Sequence, residues 1–354
     1  MATVRLDPMI DSELAAQRAA VFPRVRWMGS KYRLLPHLAE AFDEIGGRTA
    51  LDAFSGSGVV SYLLKHQGYA VHSNDYLGFP AAVATAGIVN HATRLTAGDV
   101  ERIVGPPADD RDFIQRTFSR VFFTEEDLEF LDSAWSHIAT MRGHKRAIAI
   151  AALCLAAARK QPRGVFTLTG DLSRYDDGRR DLRISLRDHF VERVEDYNRA
   201  VFSNGQQCLA TSREVSELEA KRYDVVYLDP PYAPPTDDND YTKRFHFLEG
   251  LSRYWVGDTI MHATKSKKIP KRVTKFSSRR TIEEGLRDVF KKFHDSTIVL
   301  SYSSNALPDR DTLEALLAEF KDHVEVRAIE HTYHYGTHAA AVRRSVDEYI
   351  FIGR

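Results

Sequence analysis

Cysteine is almost missing from this chain: Cys154 and Cys208 are the only two in 354 residues, and they form no CxxC pair. That excludes a disulfide framework and a zinc knuckle, and makes a reducing cytoplasm the expected compartment. Net charge is missing too, since 49 lysines and arginines balance 49 aspartates and glutamates. Such a balance neither demands nor forbids a polyanionic partner, because the local distribution decides. Long apolar runs are absent. The longest, AIAIAALCLAAA at 147–158, falls short of the ~20 residues that cross a bilayer. It reads as a buried helix, and no membrane partner is expected. The N-terminal MATVRLDPMIDSELAAQ lacks the apolar block of a signal peptide. His331, His334 and His338 fall in an apparent strand and turn with no cysteine or matched acid, so no metal is expected.

What is present is an ordinary soluble composition, 43% hydrophobic and 28% charged, with an α/β rhythm broken once. RTALDAFSGSGVVSYLLKHQGYAVHSND reads as a strand, a Gly/Ser turn, a helix from about Val59 and a strand ending at Asp75. From about 100 to 204 the character changes. TEEDLEFLDSAWSHIATM has Thr124 as N-cap and an acidic first turn. An alanine-rich helix follows at about 145–159. VFTLTGDLSRYDDGRRDLRISL then reads as a hairpin turning at Asp177-Gly178, and a helix near 188–203 closes the segment. Beyond it QQCLATS, YDVVYLD and STIVLSYSS read as strands, DTLEALLAEF as a helix, and HVEVRAIEH with SVDEYIFIG as a strand pair. The expected organisation is a doubly wound catalytic sheet from 20–100 and 205–354, interrupted by a mostly helical insertion at 101–204.

Two stretches carry chemistry. LDAFSGSG, Leu51 to Gly58, lets the backbone turn tightly after a strand and approach a ligand at a helix N-terminus, although a plain turn needs the same residues. Asp75 closes the next strand, where a carboxylate commonly grips ribose hydroxyls. In YDVVYLDPPYAPP, Pro231 and Pro230 stiffen the backbone at the end of a strand. That stiffness aims the Asp229 carboxylate, the Pro230 carbonyl and the Tyr232 ring. Two acceptors beside an aromatic face suit an exocyclic amine on a flat heterocycle.

Asp229-Pro230-Pro231-Tyr232 resembles the catalytic motif of amino-group DNA methyltransferases, and Phe54-Ser55-Gly56-Ser57-Gly58 resembles their cofactor loop. RWMGSKYRLLPHL, Arg26 to Leu38, is similar to the N-terminal motif of the Dam-like, alpha-group adenine methylases. The resemblance implies a Rossmann-like, S-adenosylmethionine-dependent fold whose insertion reads double-stranded DNA; whether a cognate restriction endonuclease accompanies it stays open. It implies Asp229, Pro230, Pro231 and Tyr232 as the catalytic group. It implies Trp27, Lys31, Asp52, Phe54, Gly56, Gly58, Asp75 and Asp229 as cofactor contacts. In the family the strand before the proline motif often ends near an acid that holds the cofactor's adenine, whereas this chain has LATSREV, with Ser212 at the strand end as a substitute; that contact stays unassigned. Arg174, Arg179 and Arg180 on the hairpin are expected to read bases. Lys267, Lys268, Lys271 and Arg272 sit in a stretch, 259–282, with eight basic residues and no acid, and are expected to hold phosphates. RNA adenine, cytosine-amine and protein-glutamine methylation share the proline motif. A catalytically dead DNA-binding protein and a Rossmann oxidoreductase stay open as well, though Ser61 stands where the latter needs its third glycine.

Overall fold

A computed structural model describes residues 12–25, 27, 29–162, 164–167, 178–232, 241–334 and 343–354. The strand-forming runs become β1 (Thr49–Asp52), β2 (Ala70–Asp75), β3 (Leu209–Ser212), β4 (Val225–Leu228), β5 (Thr297–Ser303), β6 (Val324–His334) and β7 (Arg343–Gly353). They form one sheet in the order β3-β2-β1-β4-β5-β7-β6. The first five are parallel, and β7 runs antiparallel between β5 and β6. The α/β reading of the sequence, with its closing strand pair, is therefore borne out.

The central strands are apolar at consecutive positions because both faces are covered. Ala50, Val225, Tyr227 and Val299 enter one core, while Leu51, Val226, Leu228 and Ile298 enter the other. On the first face lie α1 (Ser12–Ala19), α2 (Leu35–Ile45), α3 (Val59–His66) and α4 (Gly78–Ala84).

Between β2 and β3 the chain adds α5 (Ala97–Val104), α6 (Phe113–Phe118), α7 (Glu125–Ile138), α8 (Gly143–Arg159), α9 (Arg180–Arg183) and α10 (Leu186–Ala200). Every residue of α8 from 147 to 158 is buried, which is why that stretch is apolar all round; the helix packs on α4 and α10. Thr124 caps α7 as its sequence requires. The buried Asp127 then binds Lys160 Nζ at 2.7 Å and takes the Leu186 N–H at 2.9 Å, tying three helix ends together. After β4 come α11 (Tyr241–Leu251) and α12 (Ile282–Lys292), and after β5 comes α13 (Arg310–Ala318). No helix among the described residues is long and apolar enough to cross a membrane.

One expectation fails here. The second arm of the proposed hairpin is the helical turn α9, with Ile184 N–H bonded to Arg180 O. Ser185 caps α10 through the Asp188 N–H, so the alternating DLRISL is a helix junction that imitates a strand. The other arm, with Arg174, lies outside the described residues.

The sheet order places the site. The chain leaves β1 toward β2 and β3, then crosses back to lay β4 on the other side of β1. A crevice opens where the order reverses, at the carboxyl ends of β1 and β4. Asp52 ends β1, and Asp229 follows β4 directly.

Candidate active site

At the end of β4 the carboxylate of Asp229 is 18% exposed and lies 2.7 Å from the ammonium of Lys31, which is 5% exposed. Lys31 Nζ also donates to Tyr232 Oη at 2.8 Å and to Gly29 O at 2.7 Å. Tyr232 in turn donates to Asp229 Oδ1 at 3.2 Å. Beneath them Tyr227 Oη and Ser301 Oγ share a hydrogen bond of 2.8 Å. Burial raises the Asp229 pKa, while Lys31, Tyr232 and Ser301 oppose that rise. The Tyr232 ring leans on Tyr302, with centroids 4.8 Å apart. The sequence pointed to the Tyr232 ring; it gave no sign that the hydroxyl bridges Lys31 and Asp229. Tyr227 and Ser301 were also missed as supports, because core positions in an apolar strand carry no visible mark of a polar task.

The glycine loop is fastened from β2. Gly56 N–H donates to Asp75 Oδ2 at 2.9 Å, and Leu77 N–H donates to Oδ1 at 2.9 Å. Asp75 thus buckles the loop, a role that its place at a strand end did not announce. Gly56 has φ +46°, and a β-carbon there would meet Trp27 Nε1 at 2.6 Å. The loop's second glycine, Gly58, stands at φ +80° just before α3. Trp27 is itself pinned, stacked on Phe245 at 4.5 Å and 2°. Asp52 Oδ2 accepts from Ser61 Oγ at 2.6 Å, whereas its Oδ1 is buried without a hydrogen-bond partner among the described residues. Burial, with Asp229 and Asp75 nearby, pushes the Asp52 carboxyl up to about 7; burial likewise pushes Asp75 up to about 6.

Two cavities meet at Phe54. One lies between Trp27, Lys31, Asp52, Gly56 and Asp229. The other sits over the strand ends among Tyr76, Glu214, Val215, Pro231 and Arg272. Together they offer a bent trough to an elongated ligand: carboxylates and one orphaned oxygen at one end, aromatic and apolar walls at the other. Ser212 is exposed at the end of β3, and the wall is built from Arg213, Glu214 and Val215 instead. Glu214, two residues beyond the serine, is the acid on that wall.

The comparisons agree with this geometry. The family model for the D12 class N6 adenine-specific DNA methyltransferase matches residues 27–294. This chain belongs to that family. It is 30% identical over 326 residues to the Type II methyltransferase M2.HphI of Haemophilus parahaemolyticus, covering 88% of this chain and 92% of that one. It is 23% identical to the modification methylase LlaI of Lactococcus lactis subsp. lactis and to the modification methylase StsI of Streptococcus sanguinis. Each of those matches covers 84% of this chain and 49% and 46% of the relative, so the chain spans about half of their length.

In this DNA adenine methyltransferase the residues expected to meet DNA are spread over two places. Arg179 Nη2 donates to Pro162 O at 2.7 Å, and the exposed Arg180 pairs with Glu192 on α10. Lys267 has φ +49° and donates to His262 O at 2.5 Å. Lys268 is half-buried and Lys271 exposed. Arg272 is exposed, and its Nη1 donates to the carbonyl of Tyr76 at 2.5 Å, on the wall of the cavity over the strand ends.

Proposed function

We propose that the methyl donor is S-adenosylmethionine, lying along the trough, and that Asp229 with the Pro230 carbonyl holds the amine of a flipped-out adenine. The observation that carries this reading is the gathering of three carboxylates, Asp52, Asp75 and Asp229, each with its proton affinity raised by burial. Lys31 offsets the charge of Asp229, but Asp52 keeps a buried oxygen without a hydrogen-bond partner among the described residues. A buried carboxylate left so is costly, and a ligand bearing both a sulfonium and an ammonium answers that need. The orphaned Asp52 Oδ1 fits the ammonium end, and the cavity between Tyr76, Val215 and Pro231 fits the adenosine end.

When bound, S-adenosylmethionine supplies an electrophilic methyl group on sulfur. The rest falls to the chain. An adenine amine is a poor nucleophile, because its lone pair is delocalised into the ring. The base must leave the duplex, at a cost of a few kcal/mol; stacking on Tyr232 offsets about 1–3 kcal/mol of it. Asp229 and Pro230 O accept the two amine hydrogens and draw the nitrogen toward a tetrahedral state. Asp229 then stands where the product's proton is released. No nucleophilic cysteine is required, and positioning with electrostatics carries the rate.

The segment 101–204 is proposed as the target-recognition body and the remainder as the catalytic domain, with Lys267, Lys268 and Lys271 on phosphates. Arg180 is 63% exposed and could exchange Glu192 for a base edge. A restriction-modification role with a cognate endonuclease, and a cytoplasmic location, belong to the same proposal.

Tritiated-methyl transfer onto mixed-sequence duplex DNA, followed by nucleoside mass spectrometry, tests the reading. N6-methyladenine that depends on Asp229 supports it. Wild-type protein that takes no methyl group from S-adenosylmethionine overturns it.

A further inference from the structure

The basic stretch 259–282 joins α11 to α12, and its two halves do different things. The second half is anchored to the catalytic core. Phe276, 3% exposed, meets Phe54 edge-on with centroids 5.1 Å apart. Lys275 Nζ pairs with Glu284 at 2.6 Å and with Asp288 at 2.5 Å on α12. Arg272 donates to Tyr76 O, and its guanidinium carbon stands 5.5 Å from the Tyr76 ring centroid. Phe54 and Tyr76 follow β1 and β2, so they flank the glycine loop and the Asp75 that buckles it. Arg272, Thr274 and Phe276 thereby form one wall of the cavity over the strand ends, which Tyr241 at the start of α11 also lines.

The first half is a basic turn facing outward. Met261 N–H closes it on Lys268 O at 2.9 Å, and Ile269 is its buried peg. Lys265 and Lys271 are exposed on it, beside the half-buried Lys267 and Lys268. Only a few residues separate this turn from Arg272, so a load on one half reaches the other through a short tether pinned at Ile269 and Phe276.

We propose that this segment couples the two substrates: its lysines take duplex phosphates, its Arg272–Phe276 half closes the methyl-donor cavity, and each substrate tightens the other. The proposal rests on the reading of that cavity as the donor's nucleoside site. Arg272 is then a donor-positioning residue and not a phosphate contact, its guanidinium edge held by the Tyr76 carbonyl and its face turned toward an aromatic system. Coupling of this kind is reciprocal, so it is measurable from either side.

The experiment is calorimetric titration of S-adenosylhomocysteine, which cannot turn over, with and without a short mixed-sequence duplex at low salt. In the wild type the duplex should lower the dissociation constant about tenfold, within the usual range of such couplings. Arg272→Gln should weaken binding severalfold without DNA and reduce the duplex effect to less than about twofold. Arg272→Lys, which keeps the charge, should keep full duplex affinity and recover only part of the coupling. Lys267→Ala with Lys268→Ala should weaken the duplex and leave donor affinity without DNA unchanged. A donor affinity that is the same with and without duplex overturns the proposal alone, as does full coupling in Arg272→Gln. Wild-type protein that binds no S-adenosylhomocysteine overturns the donor reading first and this proposal with it.

Discussion

Lys31 Nζ lies 2.7 Å from Asp229 Oδ1, and the two side chains come from distant parts of the family-matched region. The ammonium occupies one of the acceptor positions that an adenine amine would use. It also opposes the burial that raises the Asp229 pKa. A carboxylate accepts hydrogen bonds from all its lone pairs, whereas the protonated acid gives one up.

Lys31→Met should therefore move the acid limb of the kcat profile to higher pH, measured at saturating methyl donor. With the cation gone, burial acts on Asp229 unopposed by that charge, so the ionised acceptor is lost sooner as pH falls. Lys31→Arg should move it much less. An acid limb that stays in place in Lys31→Met shows that the pair does not set the ionisation of Asp229.

Asp229→Asn should lower the single-turnover rate by about 10²–10³-fold, the range for loss of one preorganised group at a developing charge. Donor and duplex affinity should change far less, because the proposed role puts the group on the reacting amine. Equal losses in affinity and rate would mean that Asp229 holds substrate and does no more.

Tyr232→Ala should cost more than Tyr232→Phe, since the first removes the stacking face and the second only the hydroxyl. That hydroxyl is engaged by Lys31 and Asp229, so Phe should still lose severalfold in rate. Base flipping, followed by 2-aminopurine fluorescence, should fail in Ala and survive in Phe. Loss of flipping in both would move the hydroxyl into base capture.

Much of this was legible in the sequence, and the reasons are physical. Parallel strands buried on both faces show as continuous apolar runs, and VVYL and TIVLSYS could be read directly. Thr124 announced its helix because a cap is a local interaction. The proline motif was visible because stiffness leaves a mark in composition. The misread hairpin shows the converse: Ile184 and Leu186 alternate around Ser185 as strand residues do, yet Ser185 caps a helix whose burial lies farther along. The buckle from Asp75 to Gly56, the Tyr227–Ser301 support and the Arg272–Tyr76 contact were illegible for another reason. Each depends on the register between distant segments, which no local pattern encodes.

The last prediction concerns Asp52, whose burial beside two other carboxylates pushes its carboxyl up to about 7. A pKa raised by folding means that the native state holds the proton more tightly than the unfolded chain. Its contribution to stability is complete below the ordinary aspartate value and disappears as pH rises through about 7. Without ligand, the melting temperature should therefore fall between about pH 4 and about pH 7 and level off above that. Asp75, raised to about 6 by burial, adds a similar slope slightly lower in pH. Asp52→Asn should remove the upper part of that fall and leave the lower part to Asp75. The methyl donor should act in the opposite sense. A cation beside Asp52 favours the carboxylate, so wild-type affinity should tighten as pH rises through about 7, with a proton released on binding below it. Calorimetry in buffers of different ionisation enthalpy would count that proton. Asp52→Asn should bind the donor more weakly at high pH and release no proton. Parallel stability curves for the variant and the wild type would show that Asp52 is ionised throughout, and that its unpartnered oxygen carries no linkage to the donor.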